Sequence, residues 1–573
     1  MLDVILRGGQ VVDGTGAPRR HADVGIKDGR IAQIGRVDED GGEVIDVTGK
    51  VVTPGFVDVH THIDAQAFWD PALTPSPLHG ITTVFAGNCG FTIAPLSADP
   101  DDADYLLRML ARVEGMPVES LRSGVPWDWR TTADYFDALE GTLGINAGFM
   151  TGHSTIRRVA MGAEATSGPA SAAQIDAMKR LLHASLDAGA LGFSSSWART
   201  HNDADGHMVP SRYAAPDEIA ALCEVVGHHA GTSLEFIPCN SSMPFEPWAV
   251  DLVTRMSAAA RRPLNWNALF VKGDNLDFCK TKLELSDYAQ ANGGRVVALT
   301  MPMNTGFRLN FRSGFVFDAI PGWEEVMLAP YDQRLAYFRD HSVRARLGES
   351  AARPHSMSMA ADWSRHIIFD TVAPENEQYR GATVGEIAAD QGRAAWDVLC
   401  DIVLADELNT SFGTHAAEET DDDWKARLEI WRDPRAVIGA SDAGAHLDIL
   451  ATFNYTTVLL GRAVRERGLL PLEEAVHLLT DRPARLYGLR ERGRVTEGWY
   501  ADLAVLDETS IGSTDVAMRF DLPSGAGRLY ADATGVDHVL CNGVPIVRDG
   551  ALTGARPGTL VRSGRDTDTP ALN

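Results

Sequence analysis

A chain of 573 residues exceeds the usual size of one compact core, so two or more structural units are expected. Its composition, 45% hydrophobic and 23% charged, is that of an ordinary globular protein, and no apolar run reaches the roughly 20 residues of a membrane span. A formal net charge of −26 sets the surface against nucleic-acid phosphates and anionic membranes, which excludes both as expected partners.

The first 55 residues carry β-branched runs separated by Gly and Asp turns, such as Asp28-Gly29. The opening MLDVILRGGQVVDG has charges inside its apolar run, unlike a signal peptide. From residue 56 onward, short apolar runs alternate with helix-like segments. The runs are FVDVH (56–60), ITTVFA (81–86), NAGFMT (146–151), ALGFSS (190–195), TSLEFI (232–237), PLNWNAL (263–269), RVVALT (295–300) and AVIGAS (436–441). Residues 172–189 and 217–231 show apolar spacings of three and four, which predict helices. Eight strands alternating with helices predict an α/β fold of the (β/α)8 TIM-barrel type over 56–483. An excursion at about 301–435 is too long for a simple connection and must carry its own structure. The texture of the first 55 residues returns in GRVTEGWYADLAVLD and HVLCNGVPIVRDGAL, with Asn542-Gly543 and Asp549-Gly550 turns. Residues 1–55 and 484–560 are therefore expected to pair into a small β-sandwich domain. The final GRDTDTPALN reads as disordered. Six cysteines (Cys89, Cys223, Cys239, Cys279, Cys400 and Cys541) lack the spacing of a disulfide framework, so a reduced, cytoplasmic setting is expected.

Three segments carry candidate chemistry. In FVDVHTHID, His60 and His62 lie two apart in an extended segment, so both imidazoles project from one face. Such a pair at the end of a barrel strand can ligate a zinc-type ion, whereas alone it is as well read as two hydrogen-bonded histidines. In AVIGASDAGAHL, Asp442 follows the eighth run; it can ligate metal and take a proton from water, or simply close a turn. In FAGNCGF, Cys89 is either a metal ligand or a small buried side chain.

These pieces, with TGHSTIR around His153, GALGFSSS and the closing TDRPARLYGL…RGRVTEGWYADLAVLD, resemble the amidohydrolase superfamily. Within it, they resemble the D-aminoacylase or N-acyl-D-amino-acid deacylase group. The resemblance implies a barrel beside a β-sandwich, and metal ligation by His60, His62, Asp442 and Cys89. It also implies histidines on the fifth and sixth strands for a second metal position, and this chain departs there. TSLEFI offers Glu235 or Phe236, and PLNWNAL offers Asn265 or Asn267. Asn is a poor transition-metal ligand, so one zinc ion is expected in preference to two.

The expected reaction is hydrolysis of an N-acyl (D-)amino acid or similar small amide by metal-activated water, with Asp442 as proton carrier. His153, ending the third run, is the candidate for polarising substrate. Arg157, Arg158, Arg199 and Lys272 are candidates for its carboxylate, and Trp197, Trp266 and Phe270 for an acyl pocket. Two rival readings are hydrolysis of a cyclic amide, carbamoyl group or lactone, and a non-catalytic barrel with a binding role. The expected partners are a small-molecule substrate and, in any homo-oligomer, copies of the same chain.

Overall fold

The computed structural model describes residues 1–239, 243–304, 306–314, 317–354, 360–414 and 419–572. Both chain ends meet in one nine-stranded sheet. Leu2–Val11, Arg20–Lys27, Arg30–Gly35, Gly41–Asp46 and Val51–Pro54 join Leu503–Leu506, Val536–Cys541, Val544–Arg548 and Ala551–Leu552. The seam between the two ends is antiparallel, with Val52 opposite Val505. One face of this sheet packs Val4, Leu6, Val24, Ile26, Val52, Leu503 and Val505 into a core of its own. The turn pairs Asp28-Gly29, Asn542-Gly543 and Asp549-Gly550 all have positive φ at both residues. That conformation suits the right-handed twist of a two-residue hairpin and explains why Asn or Asp precedes Gly at each.

All eight apolar runs form strands. They are Phe56–Asp58, Ile81–Ala86, Asn146–Phe149 (continuing as Thr151–Gly152), Gly192–Ser196, Ser233–Ile237, Pro263–Leu269, Arg295–Thr300 and Ala436–Ile438. Every neighbouring pair in this order is parallel. Parallel strands with helices between them bury both faces, which accounts for their largely apolar character. Beyond the first and eighth strands, Thr61 and Ala443 form a parallel bridge. Asp58 and Ser441 add a side-chain hydrogen bond between the same two segments. The two expected helices occur as Ala172–Asp187 and Pro216–Val226, the first opened by a Ser171–Gln174 capping box.

The excursion carries a three-stranded sheet (Phe307–Leu309, Ile367–Asp370, Ser411–Thr414) and several helices. A second core of Phe311, Phe317, Trp323, Phe338, Trp363 and Phe412 holds it together. Residues 305, 315–316, 355–359 and 415–418 of the excursion lie outside the described residues. The end of the chain departs from expectation. Thr567 is buried, bridges to Leu489, and donates to Gly231 O at 2.6 Å. Its polar composition is used in docking, because backbone and hydroxyl groups there find partners on the main body. Among the described residues no helix is long and apolar enough to cross a membrane.

Candidate metal centre

The first strand delivers His60 and His62 just past its end, with ring centroids 5.3 Å apart. The eighth delivers Asp442 opposite them: its amide donates to His60 O at 3.1 Å, and His62 N donates to Ala443 O at 2.8 Å. Asp442 sits at φ 52° and Cys89 at φ 58°, left-handed turns that swing both side chains inward. Cys89 Sγ is 3.5 Å from His60 Nε2 and 3.8 Å from His62 Nε2. Asp442 Oδ1 is 3.1 Å from His60 Nε2 and 3.7 Å from His62 Nε2. The two imidazoles and the thiol are buried, with donor atoms all within 4.8 Å of one another.

This donor set fits a zinc-type ion, which takes imidazole, thiolate and carboxylate ligands. The electrostatics agree. Burial, reinforced by the nearby carboxylates of Glu235, Glu114 and Asp442, pushes the Cys89 thiol well above its ordinary value. Burial opposes a charged His62, yet Glu114, Asp442 and Asp64 raise it to about 9. Burial likewise opposes a charged Asp442, but contacts with His60 and His62 outweigh it and hold the carboxyl well below the usual range. Several acidic groups thus share one buried pocket that opposes their ionisation, and a bound cation would favour their ionised forms.

The fifth and sixth strands contribute a different pair. Glu235 accepts the Cys89 amide at 2.7 Å and the Asn267 amide group at 2.9 Å. Burial lifts this carboxyl to about 8, against those two hydrogen bonds. Asn267 Nδ2 also lies 3.5 Å from His60 Nε2, while Asn265 turns away to Tyr487 Oη at 3.0 Å. Thus Glu235 and Asn267, rather than Phe236 and Asn265, face the centre.

Residues 43–547 match the sequence profile of the Amidohydrolase family. The chain belongs to the amidohydrolase family. It is 30% identical to an N-acyl-D-glutamate deacylase of Alcaligenes xylosoxydans xylosoxydans, over 98% of this chain and 96% of that one. A solved N-acyl-D-glutamate deacylase from Bordetella bronchiseptica, complexed with zinc and a phosphonate mimic of the tetrahedral intermediate, has TM-score 0.67 and 25% identity, covering 98% and 100% of the two chains. A solved D-aminoacylase, described by one-metal activation and second-metal attenuation of its binuclear centre, has TM-score 0.65 and 27% identity over 98% and 99%. The expected hydrolase class and the likeness to the deacylase group therefore hold.

In this amidohydrolase the remaining candidates are spread widely. His153 is fully buried, with Nδ1 2.8 Å from Ser195 Oγ and Nε2 3.0 Å from Glu218 Oε1. Both ring nitrogens are engaged, which differs from the expected role of polarising substrate. Arg157 is equally buried and places Nη1 2.5 Å from both oxygens of Glu218, so its fork is committed inside the fold. Arg158 pairs with Asp102 at 2.5 Å. Arg199 and Lys272 are exposed, on the loops after the fourth and sixth strands. Trp266 is core, Trp197 is half-buried, and Phe270 is exposed.

Four residues at the centre escaped the sequence reading. Glu114, at the end of the helix Pro100–Val113, puts Oε1 3.5 Å from His62 Nδ1. His446, four residues past Asp442, has Nε2 4.0 Å from Glu114 Oε2. Asp64 is buried, accepts the Gly87 amide at 3.3 Å, and is raised by burial to about 7. His201 bonds Ser196 Oγ at 2.8 Å; burial, with His446 and His62 nearby, lowers it to about 3. Only His446 and Asp64 had a usable signal, their closeness in sequence to Asp442 and His62.

Proposed function

We propose that this amidohydrolase cleaves the amide bond of an N-acyl-D-amino acid at a centre held by His60, His62, Cys89 and Asp442. The observation that carries this reading is the convergence of two imidazoles, a thiol and a carboxylate in one pocket at the ends of the parallel strands. A zinc-type ion, when bound, supplies Lewis acidity and lowers the pKa of a coordinated water. Asp442, kept ionised by two imidazoles and a third exposed, takes the proton of the attacking water and passes it to the leaving nitrogen. Exposed Arg199 and Lys272 are the cations assigned to the substrate carboxylate; His153 and Arg157 support the wall behind the site.

A single ion is favoured. Glu235 and Asn267 spend their polar atoms on each other and on Cys89 where the deacylase pattern expects histidines. One-metal activation in the similar D-aminoacylase supports the same count. We assign the site to a (β/α)8 barrel of residues 56–483, whose closure is supported by the Thr61–Ala443 bridge. The β-sandwich is assigned to 1–55 with 484–560, in keeping with the sheet that joins both ends. Six unpaired cysteines suit a reducing, cytoplasmic setting.

The test is a metal count on protein purified without added metal, alongside hydrolysis of a panel of N-acetyl-D- and L-amino acids. One ion per chain, lost in His60→Ala, with turnover of D-substrates, is the expected result. Two ions would overturn the single-ion assignment. Faster opening of a cyclic amide would redirect the substrate class, and a folded protein that neither takes up zinc nor hydrolyses any of these would end the reading.

A further inference from the structure

The metal donors occupy one side of His62, and Glu114 occupies the other. Glu114 is 2% exposed, with its two oxygens divided between His62 Nδ1 and His446 Nε2. Its own carbonyl accepts the backbone amide of His446. With Nδ1 facing Glu114, the His62 ring turns Nε2 toward Asp442 (3.7 Å) and Cys89 (3.8 Å). His446 stands in the loop of Asp442 at φ 49°, and that loop is tied to the excursion. Asn310 Nδ2 donates to Asp448 at 2.7 Å, and Arg308 N donates to Ile449 O at 3.0 Å. The helix that ends at Glu114 is tied there too, through an ion pair of Arg112 with Asp318.

We propose that Glu114 is a positioning residue of the metal centre, fixing the ring of His62 and the loop of Asp442 together and so coupling ligand geometry to the seating of the excursion. The proposal rests on the metal reading above. A carboxylate behind a ligating imidazole fixes its orientation and makes it a better donor, and losing such a partner typically weakens metal binding about 10- to 100-fold.

Zinc affinity, measured by competition with a chromophoric chelator, tests this in Glu114→Gln, Glu114→Asp and His60→Ala. Glu114→Gln keeps the shape and removes the charge. It is expected to bind zinc about 10- to 100-fold more weakly and to shift the visible spectrum of the cobalt(II)-loaded protein. The circular dichroism and melting of its metal-free form should match the wild type. Glu114→Asp, with the charge one methylene further back, should recover part of the affinity. Affinity within about twofold of wild type in both variants, with binding lost in His60→Ala, overturns the proposal and leaves the metal reading standing. If Glu114→Gln does not fold, the Asp variant decides alone: an unchanged affinity and cobalt spectrum overturn the proposal. A wild type that takes up no zinc overturns both.

Discussion

Among the described residues, two buried histidine–carboxylate clusters, around His153 and around His60 and His62, are wired in opposite ways. Around His153, each ring nitrogen has one partner, Ser195 or Glu218, and Glu218 is further matched by the guanidinium of Arg157. Charges cancel and donors meet acceptors. Around His60 and His62, four carboxyl groups (Asp442, Glu114, Glu235 and Asp64) and a thiol crowd two imidazoles, and His60 Nδ1 has no hydrogen-bond partner among the described residues. A buried cluster whose polar groups satisfy one another is structure; one that crowds more acidic groups than its imidazoles can match is a place for a cation. Burial of a histidine does not separate the two, but the balance of its surroundings does.

That contrast makes removal of a group cost activity in one cluster and stability in the other. The largest expected effect is Asp442→Asn. It should lower kcat/KM for amide hydrolysis by about 10³ or more, equivalent to about 4 kcal/mol of transition-state stabilisation. Steady-state kinetics at fixed zinc checks this, with the melting temperature of the metal-free protein as control; a loss under tenfold would break the assignment. Next is Arg157→Ala, which strands Glu218 in the interior and should cost about 3–5 kcal/mol in denaturant unfolding. Bound metal should stay at the wild-type count. A variant of normal stability that fails to hydrolyse would instead return Arg157 to the substrate.

The same network has a pH signature. Burial alone would raise Glu218, but His153 and Arg157 outweigh it and hold the carboxyl at about 2, against an ordinary 4.5. A carboxyl depressed on folding adds stability above its unfolded value, and that stability drains away as pH falls through the interval toward the folded one. Between about pH 5 and pH 2 this group should therefore account for a loss of up to about 3 kcal/mol. Unfolding free energies over that range should fall less steeply in Glu218→Gln, although the variant starts lower because Arg157 loses its counter-charge. Parallel profiles would show that other carboxyls govern acid stability.

The sequence is most informative where chemistry and local geometry coincide. His60 and His62 are legible because extended backbone puts residues two apart on one face, and Asp442 because it follows the last apolar run. The three hairpin turns are legible because Asn-Gly and Asp-Gly tolerate positive φ. Glu114 was invisible: it belongs to the end of a helix more than fifty residues from His62, and nothing local distinguishes a buried glutamate from a solvated one. His153 shows the complementary limit. It ends a strand, as expected of a site residue, but its fate is decided by Glu218 on a later helix, a contact that no spacing foretells. Position along a strand is local information; the partner across the core is not.

The tail carries this lesson at the smallest energy. GRDTDTPALN has the composition of a disordered end, yet its residues Thr567, Asp568 and Thr569 pack where two glycines leave room for the backbone. A Cβ on Gly231 would fall 2.5 Å from Thr567 O and one on Gly488 would fall 2.1 Å from Asp568 O. Those glycines lie some 340 and 80 positions back along the chain, so composition at the terminus could not report them. Thr567 Oγ1 donates to Gly231 O at 2.6 Å, and Thr569 Oγ1 accepts the Gly231 amide at 2.9 Å. Thr567→Val keeps the shape and deletes two hydrogen bonds of Oγ1, the one to Gly231 O and the one from the Gly564 amide, so it should lower stability by about 1–2 kcal/mol, seen as a small drop in melting temperature with unchanged activity. Gly231→Ala should exceed it, since the added methyl must displace the tail and Gly231 sits at φ +71°. If both variants melt as the wild type does, the docked tail contributes nothing to stability, and its composition was the better guide after all.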